Sequence, residues 1–352
     1  MIRWAEPNIR EKDIYRAKKV LDSGWYSMGK EVVLLEEKME RIAKKLYAFA
    51  VNNGTSALTV SLRSLGIGKG DEVIVPALSY VATATAVSLV GAKPIFVDVD
   101  DSMTINIQKI DQKISKKTKA IIPVDFGGSP CCHSFFDLKR KEYGIKILVD
   151  GAQSIGATYN KKPCLSYGDI STTSFHIAKQ ISTVEGGMIF TNNEDIAKKV
   201  MTIRNQGEGK TKYVHEMLGG NYRMTDILAS LAIGQVEEDR FKMSMEARKY
   251  RVSRYKELLK NVVDFLDVEG SGNFMFCIFS EKRDEIAKHL KENKVETRKY
   301  SKTIPQQPIY NIKESFPVAE WFVENMLSLP LHKNLSDDDI VFICNKIKEV
   351  VK

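Results

Sequence analysis

Ile145-Lys146-Ile147-Leu148-Val149-Asp150-Gly151-Ala152-Gln153 is an apolar run that ends abruptly in an acid and a glycine turn. A run of this length, rich in branched residues and closed by a turn, reads as a buried strand of a parallel sheet. Working outward, the same pattern recurs at residues 48–51, 72–75, 93–97, 120–124, 170–174 and 187–191. Amphipathic stretches between these runs predict helices at 56–65, 79–90, 109–114, 134–142 and 193–204. Strands that alternate with helices predict an α/β domain on one mostly parallel, seven-stranded sheet.

After residue 225 a helical pattern through Ala229, Leu231, Ile233, Val236 and Phe241 continues to about residue 259, with charges on its other face. It reads as a connecting helix. Beyond it, a strand-like run at 274–279 and helical stretches near 284–293 and 337–351 predict a small C-terminal α/β unit. The expected division is a large domain over 1–240, including its N-terminal segment, and a small one over 241–352. The loop 205–212 is long enough to suggest a functional segment.

Ligands of open α/β sheets bind at the carboxyl ends of strands, which is where Asp150 falls. One supersecondary unit further on comes Ser174-Phe175-His176-Ile177-Ala178-Lys179, with Glu185-Gly186-Gly187 just behind. Taken singly, Lys179 reads as a surface lysine and Asp150 as a turn cap. Together, an amine and a carboxylate so placed point to pyridoxal phosphate. Its aldehyde needs a lysine, and its pyridine nitrogen needs an acid that keeps it protonated. Asn53-Gly54-Thr55-Ser56-Ala57-Leu58 follows a strand and opens a helix, so Gly54, Thr55 and Ser56 form a candidate phosphate cup. A structural N-cap is the plainer reading of the same residues. Tyr80, in Ser79-Tyr80-Val81-Ala82-Thr83, offers a ring to stack on a planar cofactor, or is simply a half-buried aromatic.

The 352 residues are 43% hydrophobic, enough for a substantial core. No stretch approaches the roughly 18 apolar residues of a membrane span, and Met1-Ile2-Arg3-Trp4-Ala5-Glu6-Pro7 has no apolar leader, so a cytoplasmic location is expected. The net charge of +8 is spread over alternating Lys, Arg, Glu and Asp without a basic arm. That pattern points away from nucleic acid and suits an anionic small substrate. Cys131, Cys132, Cys164, Cys277 and Cys344 lack C-x-x-C spacing and read as reduced thiols. Cys131-Cys132-His133 invites a metal reading, but adjacent cysteines make awkward ligands and no second pair follows, so no metal is assigned.

In order along the chain, these motifs resemble the DegT/DnrJ/EryC1/StrS family of sugar aminotransferases, which have fold type I of the pyridoxal-phosphate enzymes, the aspartate-aminotransferase-like fold. The resemblance is carried by Ser23-Gly24-Trp25-Tyr26-Ser27-Met28-Gly29, Asn53 to Leu58, Asp71-Glu72-Val73-Ile74-Val75-Pro76, Asp150 to Ala157 and Ser174 to Lys179. Gly220-Asn221-Tyr222-Arg223-Met224-Thr225-Asp226 and Ser328-Leu329-Pro330-Leu331-His332 extend it downstream. It implies that Lys179 binds the cofactor aldehyde, Asp150 pairs with the pyridine nitrogen, Gln153 bonds the ring hydroxyl and Tyr80 stacks on the ring. Thr55, Ser56 and Ser174 would hold the phosphate, and Asn221 would reach it from the neighbouring subunit of a homodimer. The implied reaction is ping-pong transamination, with L-glutamate as donor and the keto group of a nucleotide-linked deoxysugar as acceptor. Lys179 would shuttle the proton, and Arg223 and Arg298 are candidates to meet the diphosphate.

Two features depart from the family pattern. Asp125, in Pro123-Val124-Asp125-Phe126-Gly127-Gly128, stands where the family usually has histidine, and Ser129-Pro130-Cys131-Cys132 follows it. The stretch Glu296-Thr297-Arg298-Lys299-Tyr300 only loosely resembles the family's substrate loop. Ser-Phe-His-x-x-Lys with Thr183 and Glu185-Gly186-Gly187 looks more like members that aminate C4 of a 4-keto-6-deoxyhexose than like C3-acting ones. The alternatives are a C3 aminotransferase, a sugar dehydratase of the same family and a non-catalytic sensor. The dehydratases have histidine at the lysine position, which Lys179 opposes, and no DNA-binding helix pair or basic arm supports a sensor.

Overall fold

In the computed structural model, which describes residues 1–352, the apolar runs form strands. In chain order these are β1 (Tyr47–Val51), β2 (Glu72–Pro76), β3 (Lys93–Val97), β4 (Thr118–Ile121), β5 (Lys146–Asp150), a small hairpin of β6 (Thr158–Tyr159) and β7 (Lys162–Pro163), β8 (Ile170–Ser174) and β9 (Gly187–Thr191). The later strands are β10 (Asp264–Phe265), β11 (Phe276–Phe279) and β12 (Met326–Leu329). The helices are α1 (Glu11–Ser23), α2 (Lys30–Ala43), α3 (Gly54–Ser64), α4 (Ala82–Leu89), α5 (His133–Tyr143), α6 (Glu194–Arg204), α7 (Asp226–Ile233), α8 (Glu238–Leu259), α9 (Arg283–Glu292), α10 (Pro317–Asn325) and α11 (Asp337–Val351).

The large sheet has seven strands in the order β1-β9-β8-β5-β4-β2-β3. Only β9 runs against its neighbours; the other pairs are parallel. Because side chains alternate across a strand, both faces are apolar and both are covered. Val73, Val75, Leu148, Ile170 and Ile189 pack against residues of α3, α4 and α6. On the opposite face Ile74, Ile121, Ile147 and Val149 meet Phe136 of α5, while Ala50, Met188 and Phe190 meet Val32, Leu35 and Met39 of α2.

The smaller sheet, β10-β11-β12, is antiparallel. Phe276, Ile278, Leu327 and Leu329 on one face pack on Tyr255, Ile286, Leu290 and Ile340 of α8, α9 and α11. Its other face turns inward: Cys277, Phe279 and Met326, with Ile304, Phe316 and Phe322, belong to the same buried cluster as Val73 and Val75.

The predicted helix from 225 to 259 is broken at Gly234–Val236. A Cβ on Gly234 would stand 2.3 Å from Asp13 Oδ1, so α1 presses into the break, and Arg240 clamps the same carboxylate with both Nη atoms at 2.8 Å. The stretch predicted as a helix at 109–114 forms two short 3-10 turns, Ile107–Lys109 and Asp111–Lys113. Asp226 of the downstream motif has a structural task. Its carboxylate accepts from the N–H groups of Gly29, Glu31 and Val32 at 2.8, 3.2 and 3.0 Å, capping α2. The loop after α6 folds back as an arm, with Asn205 bridged to Asn221 and Glu208 to His215. Gly207 (φ +79°) makes this possible, since a Cβ there would lie 1.8 Å from the Met217 carbonyl oxygen. No helix is long and apolar enough to cross a membrane.

Candidate active site

β1, β2, β4, β5 and β8 point the same way, so the loops after them emerge on one edge of the sheet. Those loops carry residues 53–56, 79–83, 125–128, 150–153 and 174–179.

Asp150 ends β5 and is only 4% exposed. Its Oδ2 accepts from Thr83 Oγ1 at 2.8 Å, and Thr83 Oγ1 is in turn 2.9 Å from Ser79 Oγ. Its Oδ1 accepts from the Ala152 N–H at 3.1 Å, so part of the turn-cap reading is correct. Burial raises its pKa, opposed by the Thr83 and Ala152 donors and by the charge of Lys179. A carboxylate has more acceptor capacity than these two donors use.

Lys179 lies in the loop between β8 and β9, whose base is closed by the Ser174–Gly187 pair. Phe175 N–H donates to Gly186 O, Thr183 N–H to Phe175 O and Ile177 N–H to Val184 O, so the loop is laced to itself. Val184 sits at φ +74°, an uncommon conformation for a β-branched residue and one that clusters at functional loops. The Lys179 ammonium rests 4.3 Å from the centroid of the Phe274 ring. Burial pulls its pKa down to about 8, against the opposing pull of Asp150.

At the start of α3 the capping atom is Asn53 Oδ1, which accepts from Ser56 N–H at 2.8 Å. The hydroxyls of Thr55 and Ser56 are therefore not spent on capping. Gly54 lies against Ser174, and a Cβ there would stand 3.0 Å from Ser174 Cβ, so the cup and the end of β8 share one narrow wall. Gln153 is buried, and its Oε1 accepts from Gly127 N–H at 2.7 Å, which leaves its amide N–H groups for another acceptor.

Tyr80 borders this cluster at the start of α4 and is 63% exposed. Asn221 is exposed on the 205–221 arm and its side chain makes no bond to the cluster. The backbone beside it does approach, since Tyr222 O accepts from Asn52 N–H at 2.9 Å. Arg223 donates to Asn205 Oδ1, and Arg298 stacks over Trp4 at 5.5 Å. Neither arginine joins the cluster through these contacts.

Three features escaped the reading of the sequence: Thr83 as donor to Asp150, Phe274 beneath the lysine, and a cavity of about 180 Å³ lined by Lys179, Arg10, Arg248, Arg251, His332 and Lys333, among others. Arg248 is buried with no carboxylate partner. Its Nη1 donates to Leu331 O at 2.9 Å, its Nε is unpartnered, and burial pulls its pKa down to about 10. His332 is likewise buried with both ring nitrogens unpartnered, 3.9 Å from Glu6. A cavity with this lining favours an anion.

A buried acid, a lysine whose amine is destabilised as ammonium, and free hydroxyls at a helix start beside Ser174 fit the ring nitrogen, aldehyde and phosphate of pyridoxal phosphate. Fold and site together define a pyridoxal-phosphate enzyme of fold type I. The chain belongs to the DegT/DnrJ/EryC1/StrS aminotransferase family, whose model matches residues 7–348. It is 33% identical to the GDP-perosamine synthase of Escherichia coli O157:H7, covering 98% of this chain and 97% of that one. It is 31% identical to the UDP-2-acetamido-2-deoxy-3-oxo-D-glucuronate aminotransferase of Pseudomonas aeruginosa, with 96% of each covered. Among solved structures, Spr1654 of Streptococcus pneumoniae in its PLP form is similar with a TM-score of 0.92 at 28% identity, covering 99% of this chain and 98% of that one.

Proposed function

We propose that this enzyme moves an amino group from L-glutamate to the C4 keto group of a nucleotide-linked 4-keto-6-deoxyhexose. The observation that carries the reading is the position of Lys179, with the buried Asp150 as its charge partner and a cation-lined cavity beside it. The cavity suits a small anionic donor; at about 180 Å³ it is smaller than the roughly 300–1,000 Å³ that drug-sized ligands occupy. The relatives named for nucleotide sugars support the acceptor class. The lean to C4 rests on the Ser174–Lys179 motif with Thr183 and Glu185.

Bound pyridoxal phosphate supplies the aldehyde that takes up an amino group and the conjugated ring that draws off electrons. Thr55 and Ser56, at the positive end of α3, would hold its phosphate with Ser174. Asp150, oriented by Thr83 and the Ala152 N–H, would keep the proton on the pyridine nitrogen. Gln153, fixed by Gly127, would donate to the ring hydroxyl, and Tyr80 would cover the ring and exclude water. Lys179 would hold the cofactor and, as a free amine, take the proton from Cα of the donor and deliver one to the sugar carbon in the second half of the cycle. A pKa of about 8 suits both directions.

The functional unit in this reading is a homodimer in which Asn221 completes the partner's phosphate site. The exposed arm that carries it, with Tyr213 and Leu218 77% and 81% exposed, supports that role. With a division at residue 240, the second unit, 241–352, would be the wall that supplies Phe274, Arg248 and His332. C3 amination is the second reading, favoured by the relative named for a 3-oxo sugar.

The test is spectral first and regiochemical second. L-Glutamate should convert the lysine-linked absorbance of the holoenzyme to that of the pyridoxamine form, and a nucleotide-linked 4-keto-6-deoxyhexose should restore it. NMR of the product then locates the amine. No spectral change with glutamate removes the donor, and turnover only with a 3-keto sugar replaces C4 by C3.

A further inference from the structure

Next to the cofactor loops, three side chains with metal-ligand chemistry converge from distant parts of the chain. Asp125 follows β4, His133 opens α5, and Cys164 begins the turn after β7. Their donor atoms all lie within 4.8 Å of one another, and the residues are 0%, 1% and 0% exposed. Asp125 Oδ1 accepts from Cys131 N–H at 2.9 Å, but Oδ2 has no partner. His133 Nε2 stands 3.1 Å from Asp125 Oδ1, yet neither ring nitrogen makes a hydrogen bond. Tyr167 stacks on the imidazole at 4.6 Å and fixes its plane. A buried imidazole and carboxylate oxygen with no hydrogen-bond partner are costly, and one cation between them satisfies both.

We propose that Asp125, His133 and Cys164 bind one divalent cation of the zinc type, with a water molecule as the fourth ligand. Nitrogen and oxygen ligands on a tetrahedral zinc stand ~3.4 Å apart at the usual bond lengths; Nε2 lies 3.1 Å from Oδ1, which keeps the carboxylate within ligand reach and leaves Oδ2 as the oxygen free to bind. Sulfur and imidazole together select zinc and its soft neighbours over magnesium or calcium. Charge balances as well. Cys164 loses its thiol proton to solvent on binding, and thiolate plus carboxylate neutralise the cation, so the buried site carries no net charge. The tandem Cys131-Cys132 is not the ligand set, because the two thiols turn apart, Cys131 Sγ to Val124 O at 3.1 Å and Cys132 Sγ to Tyr159 Oη at 3.4 Å.

The cation's role is structural. It ties the loop 125–133 to the turn at Cys164–Ser166, and that loop carries the Gly127 N–H that orients Gln153. The site is independent of which sugar the enzyme takes.

The holoenzyme, incubated with Zn²⁺ and then gel-filtered, should hold one zinc per chain by elemental analysis. Co²⁺ in its place should show the intense visible ligand-field bands of a tetrahedral site. Cys164→Ser and His133→Gln should each lose the metal and the bands, while Cys132→Ser, a change at the more exposed thiol, keeps them. Absence of retained zinc and of cobalt bands in the wild-type holoenzyme overturns the proposal without reference to any variant. Retention in both Cys164→Ser and His133→Gln, or loss confined to Cys132→Ser, overturns it equally. Retained pyridoxal phosphate in each variant reports that its fold is intact.

Discussion

Lys179 stands between opposed influences: protein packed around its amine disfavours the charge, and Asp150 favours it. Burial wins, so the neutral, nucleophilic fraction at neutral pH exceeds that of a lysine in water. The rate at which the apo-protein captures pyridoxal phosphate should therefore rise with the neutral fraction and level off above about pH 8; a profile that climbs to about pH 10, where an unshifted lysine titrates, contradicts the shift. Lys179→Ala should lower transamination by at least the roughly 10²–10⁴-fold of a lost acid–base group and leave the thermal midpoint nearly unchanged, since the side chain adds little to the core. Asp150→Asn should retain cofactor by equilibrium dialysis but slow turnover about 10- to 100-fold, the roughly 1.5–3 kcal/mol of a hydrogen bond to a charged group. Unaltered steady-state kinetics in that variant would remove its role at the ring nitrogen. Lys179, Asp150 and the α3 start were legible because each adjoins a strand end, a position that periodicity reveals. Thr83, Phe274 and Arg248 were not, because their relation to the site exists only once distant loops are brought together.

The large-sheet strands were readable because a strand buried on both faces has no polar alternation to confuse its boundaries. Helices α1, α2 and α10 carry no comparable signal. The first two lie before the strand–helix alternation begins, and α10 is a short helix opened by Pro317 whose Val318 and Ala319 N–H groups donate to Asp98, 220 and 221 residues away in sequence. The cap on α2 shows the same limit. Asp226 lies 197 residues from Gly29, a spacing no local rule contains. Asp226→Ala frees three backbone donors at once and should destabilise the protein by about 0.5–2 kcal/mol, read as a lower denaturation midpoint. An unchanged midpoint would mean that water or another side chain replaces the cap.

At the scale of the molecule, the sequence suggests two units meeting near residue 240, and one large buried cluster spans that boundary. Ile304, Phe316, Phe322 and Met326 pack with Val73, Val75 and Phe96, and Ile304 N–H donates to Ala77 O at the end of β2. Guanidinium unfolding followed by far-ultraviolet circular dichroism and by tryptophan emission should therefore give coincident curves; two separated transitions would show that the units melt independently. The segment 303–326 acts as a keystone. A chain cut at residue 240 would leave its first fragment with an uncovered apolar face, prone to self-association, and the second with no counterpart for Ile304 and Phe316. Any attempt to recombine the N-terminal part of one relative with the C-terminal part of another should carry this segment along with the sheet it completes.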